Sequence, residues 1–171
     1  FGICGGYQML GKNVIDINGI EGEVTSEKGF GFLDIETIFD EEKRTKQMIG
    51  TIQSTGKLLN GFNGTNVTGY EIHNGQTKVD GEPFCHFSGG KADGCVNGNV
   101  FGTYLHGLFD SGELTEKLAQ WLCERKGISY EQAETLDYNT YREEQYDKLA
   151  EGVRAALDMD AIYTCMGMVR K

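Results

Sequence analysis

Apolar and polar positions follow two different patterns along the chain. Up to about residue 112, short apolar runs rich in β-branched and aromatic residues alternate with glycine-containing turns, a pattern typical of strands. The predicted strands are 29–39, 46–54, 67–72 and 100–105. A short helix over 4–14, a turn-rich loop over 16–22 and a region of loop or weak strand from Gly75 to Asp93 complete this part.

The remainder of the chain has the spacing of amphipathic helices. One apolar stripe, which ends near Gly127, is formed by Leu114, Leu118, Trp121 and Leu122. A second helical stretch is predicted from Tyr130 to Met159 with Ser129 as its N-cap, and its apolar positions are Tyr146, Leu149, Val153 and Leu157. We therefore expect an α/β body over residues 1–112 and C-terminal helices over 113–171, not two independent domains.

Composition and charge exclude several classes of partner. The 171 residues are 39% hydrophobic and 25% charged, which is typical of a globular domain with a core. The formal net charge of −10 argues against nucleic acid and acidic lipid, since both require a positive surface. No apolar run approaches the ~20 residues that span a bilayer, and no signal peptide is visible.

The five cysteines indicate a reducing, cytoplasmic setting. They lie at irregular spacing with no CxxC pair, so neither a zinc ribbon nor a disulfide framework is expected. A metal site built from Cys85, His86 and Cys95 would lack a fourth ligand, and we expect none.

The first eleven residues predict a nucleophile. In Phe-Gly-Ile-Cys-Gly-Gly-Tyr-Gln-Met-Leu-Gly, an apolar lead-in is followed by Cys4, a glycine pair and helix-forming residues. A sharp strand-to-helix turn of this kind exposes the sulfur near the positive end of a helix, where the field favours the thiolate. Gly5 and Gly6 carry no Cβ to crowd a substrate carbonyl, so their amides can face a developing oxyanion.

A thiolate nucleophile requires a base, and three histidines are candidates. His106 is the best placed because it ends the apolar strand 100–105, although a structural histidine at a strand end is an equal alternative. His73, in a similar strand-to-turn setting, is more simply a structural or substrate-loop residue, and His86 a core or surface residue. The residues alone thus predict Cys–His attack on an amide or ester carbonyl, with the substrate left open.

Four stretches together resemble one family. The opening stretch Gly2–Gly11 is similar to the nucleophile elbow of class I glutamine amidotransferases, and more narrowly of the branch at the C-terminus of cobyric acid synthase. Three further stretches agree in order and spacing, Gly31–Phe39, Gly69–His73 and Gly102–Phe109. The resemblance covers about residues 2–110 well and the helical tail loosely. It implies a flavodoxin-like three-layer fold with a central, mostly parallel sheet.

The resemblance also assigns roles. Cys4 would attack the side-chain amide of glutamine, giving a γ-glutamyl thioester and ammonia, and His106 would act as general base and then acid. Gly5 would supply an oxyanion amide, Gln8 would help to hold glutamine, and Glu71 and His73 would lie in a glutamine-facing loop. The ammonia would pass to an ATP-dependent synthetase domain that amidates adenosylcobyrinic acid a,c-diamide towards cobyric acid.

Two departures from the usual pattern shape these expectations. Most class I amidotransferases follow the histidine with Pro-Glu, but here Gly107 and Leu108 follow, as in the cobyric acid synthase branch. The ring could then be oriented by Asp110, by Glu71 or by a backbone carbonyl, and Asp110 is more simply a residue at a helix N-terminus. The elbow also stands at the first residues, so we expect the family's earlier strands and one oxyanion amide to be missing, and this fragment alone to be poorly active.

The same reasoning bounds cofactors and rivals. No Gly-x-x-x-x-Gly-Lys-Ser/Thr motif occurs, so no cofactor is expected in this chain, and ATP and Mg²⁺ are expected in the synthetase domain, the partner of this one. Close alternatives are the glutaminase of cobyrinic acid a,c-diamide synthase and that of a cell-wall lipid II amidotransferase. An alternative of another class is a non-catalytic, amidotransferase-like interaction domain.

Overall fold

The computed structural model describes residues 1–53, 60–110, 112–131 and 138–168. The first half contains strands β1 Gly2–Ile3, β2 Asn13–Asp16, β3 Thr25–Lys28, β4 Ile35–Ile38, β5 Arg44–Ile52 and β6 Asn66–His73. Further along are β7 Gln76–Val79, β8 Cys85–Phe87, β9 Ala92–Asp93, β10 Cys95–Asn97, β11 Val100–Thr103 and β12 Leu105–His106. The four described helices are α1 Gly5–Met9, α2 Gly112–Lys126, α3 Tyr138–Ala156 and α4 Met159–Cys165.

The chain divides into two compact units. Residues 1–132 form the first, which holds every described strand together with α1 and α2, and residues 133–171 form the second, with α3 and α4. Within the second unit Asp158 is the N-cap of α4, because its carboxylate accepts a hydrogen bond from the Ala161 amide.

The strands of the first unit form three sheets. Their orders are β1-β11-β10, β12-β6-β5-β8-β9 and β3-β2-β4-β7. Only β1 with β11 and β2 with β4 pair in parallel, and the other pairings among the described residues are antiparallel. The mixed α/β character agrees with the prediction, but the expected mostly parallel sheet is not what the described strands form. The reason is local: short connections between neighbouring strands, such as β8 with β9 and β10 with β11, return the chain antiparallel.

Two apolar clusters hold these layers together. The larger packs α2, through Leu114, Leu118 and Trp121, against the five-stranded sheet. The smaller lies beneath α1 and comprises Tyr7, Leu33, Ile35, Cys95 and Tyr104. Because Tyr7 and Tyr104 meet edge to face, with ring centroids 5.1 Å apart, α1 is fixed over the strand that leads to His106.

Several predicted boundaries require correction. The helix expected over 4–14 ends at Met9, because the chain turns at Gly11 and β2 pairs with β4. The strand expected over 29–39 is confined to β4, since the amides of Phe30 and Phe32 instead bond carbonyls at the end of α1. The strands over 46–54 and 67–72 agree with β5 and β6, although residue 54 lies outside the described residues.

The C-terminal predictions were partly right. The first amphipathic stripe is α2, which ends next to Gly127 as expected. Ser129 is followed by non-helical residues 130 and 131, so it caps no helix there, and the predicted helix over 132–137 lies outside the described residues. The stretch expected to run to Met159 is interrupted at residues 157–158, between α3 and α4.

Candidate active site

Cys4 stands on a strained turn between β1 and α1. Its φ of 53° and ψ of −117° make it the only non-glycine residue with positive φ among the described residues. Such a conformation costs about 1–3 kcal/mol and persists only where the surroundings impose it. Here the Cys4 amide donates to the Thr103 carbonyl at 3.0 Å, and the Gln8 amide donates back to the Cys4 carbonyl at 3.0 Å. This is the strand-to-helix elbow that the sequence predicts.

Close packing beneath the elbow requires glycine. A Cβ at Gly102 would lie 2.5 Å from the Tyr7 ring and 2.9 Å from the Gly2 carbonyl oxygen, and one at Gly2 would lie 2.7 Å from the Gly6 oxygen. The helix therefore rests directly on the two parallel strands. Above the elbow the situation is reversed, because a Cβ at Gly5 or Gly6 would meet no atom within 4 Å. The glycine pair thus leaves open space beside the half-buried Cys4 sulfur.

The strand that carries His106 changes sheets at Tyr104. Gly102 and Thr103 pair with β1, whereas Leu105 and His106 pair with Glu71 and Tyr70 of β6. Backbone groups that leave a ladder need other partners.

Side chains supply those partners at the change of sheet. The Tyr104 amide donates to the Asp93 carboxylate at 3.2 Å, and the Leu105 amide donates to the Thr103 hydroxyl at 3.0 Å. The Thr103 hydroxyl in turn donates to Asp93. Asp93 and Thr103 therefore fix the segment that connects the elbow to the histidine.

Asp93 is a buried carboxyl with an altered titration. Burial raises its pKa above the ordinary value, and the bonds from Thr103 and Tyr104 only partly offset that effect. Together with Glu71, His73, Lys91 and other residues, it lines a cavity of about 330 Å³.

His106 is oriented by the main chain. Its Nδ1 lies 3.0 Å from the Tyr104 carbonyl oxygen and 3.2 Å from that of Tyr70. Carbonyl oxygens only accept, so Nδ1 carries the proton and Nε2 carries the lone pair. Within the described residues Nε2 makes no hydrogen bond, and it is therefore free to act as a base. Of the three orienting groups left open by the sequence, the structure selects backbone carbonyls.

The absence of the usual carboxylate has a structural cause. Leu108, two positions after the histidine, is fully buried in the larger apolar cluster with Leu105 and Leu114. A charged side chain at that place would be costly unless it were paired. Among the described residues, the imidazole bonds carbonyl oxygens and not Asp110, which lies in a single 3-10 turn before α2 with its carboxylate near Gly107.

Glu71 and His73 form a buried pair next to this site. Nε2 of His73 lies 2.9 Å from the Glu71 carboxylate, and Nδ1 lies 3.1 Å from the Gly75 carbonyl oxygen. Since both nitrogens already have partners, neither is available to take a proton from Cys4. Burial would raise the pKa of Glu71, but hydrogen bonds from Lys91 and His73 outweigh it and hold that pKa below its usual range.

Gln8 lies one helical turn after Cys4 and is buried. Its Nε2 donates to the Tyr104 hydroxyl at 3.1 Å. The same hydroxyl bonds Thr77, and Thr77 bonds Thr37 at 2.8 Å. The Tyr104 ring stacks on His73 with centroids 3.8 Å apart. Sequence reasoning noted Tyr104 only as a strand residue.

The predicted residues converge on one strand. The Cys4 thiol donates to the Ile72 carbonyl at 3.5 Å, and His106 bonds the Tyr70 carbonyl, so both side chains contact β6 two residues apart. Glu71 lies between those positions. His86 lies on β8, and Cys85 and Cys95 are buried free thiols.

Sequence reasoning missed Asp93, Lys91 and Thr103. The only signals in the sequence were the Asp93-Gly94 dipeptide, which is typical of a turn, and the stretch Gly102–Phe109, which contains Thr103. No group of three or more potential metal ligands is present in the described part of the chain, and none of its helices is long and apolar enough to cross a membrane.

Comparison with known families agrees with this geometry. Residues 1–114, which include the elbow, β6 and His106, match the CobB/CobQ-like glutamine amidotransferase domain. The chain belongs to this family. Its strained cysteine and carbonyl-anchored histidine are thus features of an amidotransferase domain.

The similar curated proteins are cobyric acid synthases, which form one branch of this family. The chain is 43% identical to the cobyric acid synthase of Lachnoclostridium phytofermentans over 97% of its own length and 35% of that protein. It is 45% identical to the probable cobyric acid synthase of Methanocella arvoryzae, over 94% of this chain and 31% of that protein. For the cobyric acid synthase of Photorhabdus laumondii the identity is 44%, over 96% and 34%. The chain spans about a third of the length of these curated relatives.

Proposed function

We propose that this chain is the glutaminase part of a cobyric acid synthase, with Cys4 as nucleophile and His106 as base. Two neighbouring groups carry the proposal: a strained, half-buried thiol and an imidazole whose Nδ1 proton is held by carbonyls. Both side chains bond main-chain carbonyls of β6. The assignment to cobyric acid synthesis is inferred from the relatives that are named cobyric acid synthase.

The reaction begins at the thiol. Nε2 of His106 takes the proton of Cys4, and the sulfur attacks the side-chain carbonyl carbon of glutamine. The resulting oxyanion is received by the Gly5 amide, in the open space over the glycine pair. The His106 proton then passes to the amide nitrogen, the C–N bond breaks, and ammonia leaves a γ-glutamyl thioester. Water, deprotonated by His106, hydrolyses that thioester to glutamate and the free thiol.

The ammonia serves as nitrogen donor for the remaining part of a protein as long as the curated relatives. In this proposal an ATP- and Mg²⁺-dependent synthetase portion uses it to amidate peripheral carboxylates of adenosylcobyrinic acid a,c-diamide towards cobyric acid. Flavodoxin-like layering of the whole amidotransferase domain is part of the same proposal. It draws support from the parallel pair β1–β11 under the elbow.

Covalent labelling tests the nucleophile. The longest natural polypeptide that contains this sequence is treated with 6-diazo-5-oxo-norleucine, a glutamine analogue, and the modified residue is located by peptide mass spectrometry. We expect label on Cys4 and none in Cys4→Ala. The matched control is Cys123→Ala, which removes another half-buried free thiol and should leave labelling unchanged. Label that persists in Cys4→Ala, or that never appears, contradicts the assignment and favours an interaction domain.

Substitution of the base tests the second role. His106→Gln should slow ammonia release from glutamine by about 10²–10⁴-fold, the usual effect of losing a general base. His73→Gln is the control, because both nitrogens of His73 already have partners other than Cys4. A larger loss in His73→Gln than in His106→Gln would reverse the assignment.

A further inference from the structure

We propose that Tyr104 is the positioning residue of the glutamine site, and that it acts through Gln8. The inference rests on the proposed glutaminase function and assigns a role to the Tyr104 side chain, whose carbonyl already orients His106. It stands on the contacts of the Tyr104 hydroxyl, ring and carbonyl.

The hydroxyl holds Gln8. Nε2 of Gln8 donates to it at 3.1 Å, while Oε1 of Gln8 makes no hydrogen bond to any described residue. A glutamine side chain has several rotatable bonds, and an untethered one must be ordered when a ligand binds. With Nε2 tethered, Oε1 is already directed and remains free as an acceptor. The bond therefore prepares Gln8 for substrate before substrate arrives.

The ring is fixed on two sides. One face stacks on His73 at 3.8 Å with an interplanar angle of 17°, and Tyr7 meets the ring edge to face. Burial raises the pKa of Tyr104, so the hydroxyl stays protonated and both accepts from Gln8 and bonds Thr77. A phenylalanine keeps the stacking and loses only the hydroxyl, which makes Tyr104→Phe a clean perturbation.

The Tyr104 carbonyl has a separate task. It accepts from Nδ1 of His106 at 3.0 Å, and a change of side chain leaves that acceptor in place. The hydroxyl of Tyr104 therefore serves substrate binding and its carbonyl orients the base, so a change of side chain tests the first role alone. Loss of the hydroxyl should weaken the binding of glutamine while the base keeps its orientation.

Steady-state kinetics in the longest natural polypeptide that contains this sequence tests the inference. Tyr104→Phe should raise the KM for glutamine about three- to tenfold, the equilibrium effect of losing one hydrogen bond. The kcat should change less than twofold, and its pH profile should not move. Thr77→Val is the matched control: it deletes another hydroxyl of the same hydrogen-bonded, part-buried chain but does not touch the bond between Gln8 and Tyr104, so KM should stay within twofold.

A double-mutant cycle identifies the route of the effect. If Tyr104 acts through Gln8, the variant Gln8→Ala/Tyr104→Phe should have the KM of Gln8→Ala alone. The inference would be overturned if Tyr104→Phe raised KM by the same factor in the wild type and in Gln8→Ala. It would also be overturned if Thr77→Val raised KM as much as Tyr104→Phe, or if Tyr104→Phe lowered kcat and left KM unchanged. Failure of the proposed function looks different: it is a wild-type protein without glutamine turnover. In that case the dissociation constant of glutamine for Cys4→Ala, with and without Tyr104→Phe, decides the inference.

Discussion

Thr103 joins the elbow to the segment that carries the base, and its hydroxyl can be removed without change of shape. The side chain is fully buried. Its hydroxyl donates to Asp93 and accepts from the Leu105 amide, while its carbonyl accepts from the Cys4 amide. Thr103→Val keeps the volume and leaves the Leu105 amide without a partner.

The cost follows from the groups left unpaired. A buried amide without an acceptor costs about 1–3 kcal/mol, and loss of one donor to the Asp93 carboxyl adds about 1 kcal/mol. The free energy of unfolding should therefore fall by about 2–4 kcal/mol. For a chain of this size that corresponds to a Tm lower by roughly 5–15 °C. Ammonia release from glutamine should fall as well, because the lost hydroxyl bonds hold the segment that carries His106.

Urea unfolding at constant m-value measures the change. Thr37→Val is the matched control, because Thr37 is equally buried but its hydroxyl is bonded to Thr77, which retains Tyr104 as a partner. That variant should lose about 1 kcal/mol or less. Thr103→Ser, which keeps the hydroxyl, should recover most of the loss. The reasoning is refuted if Thr103→Val is no more destabilising than Thr37→Val.

Two further predictions concern neighbouring residues. Because burial raises the pKa of Asp93 in the folded state, its contribution to stability declines as pH rises from about 4, the ordinary Asp value, through the raised pKa. Asp93→Asn should remove this decline in urea midpoints measured against pH, and an unchanged profile would contradict the burial argument. Gly69→Ala should cost more than about 2 kcal/mol in urea unfolding, because its Cβ would lie 2.0 Å from the His106 carbonyl oxygen. Gly112→Ala, where a Cβ meets nothing, is the control and should unfold as the wild type does.

Local patterns predicted the parts of the fold that depend on local sequence. The elbow at Cys4, the long strands β5 and β6, and α2 each follow from a run of residues with a clear period or a distinctive turn. The early end of α1 does not, because it depends on pairing between β2 and β4, which are distant in sequence.

The site was predicted in part for the same reason. Cys4 and His106 were recognisable because their chemistry belongs to side chains. The groups that orient His106 are main-chain carbonyls at Tyr70 and Tyr104, and any residue type supplies those. Asp93 accepts a hydrogen bond from the Tyr104 amide where the chain passes from one sheet to another, and no hydrophobic periodicity reveals that point. Such contacts are created by tertiary structure and leave no residue pattern to read.

In the proposed mechanism, the carbonyl anchor of His106 makes catalysis depend on the register of two strands. The imidazole meets Tyr70 only because β12 is aligned with β6 at that one pairing. A slip of one residue would turn the ring to the opposite face of the sheet and remove its acceptor at the same time. To change the orientation of the His106 ring, the path of the backbone has to change. Substitutions at positions 70 and 104 should alter that orientation far less than a single residue inserted or deleted between β11 and β12.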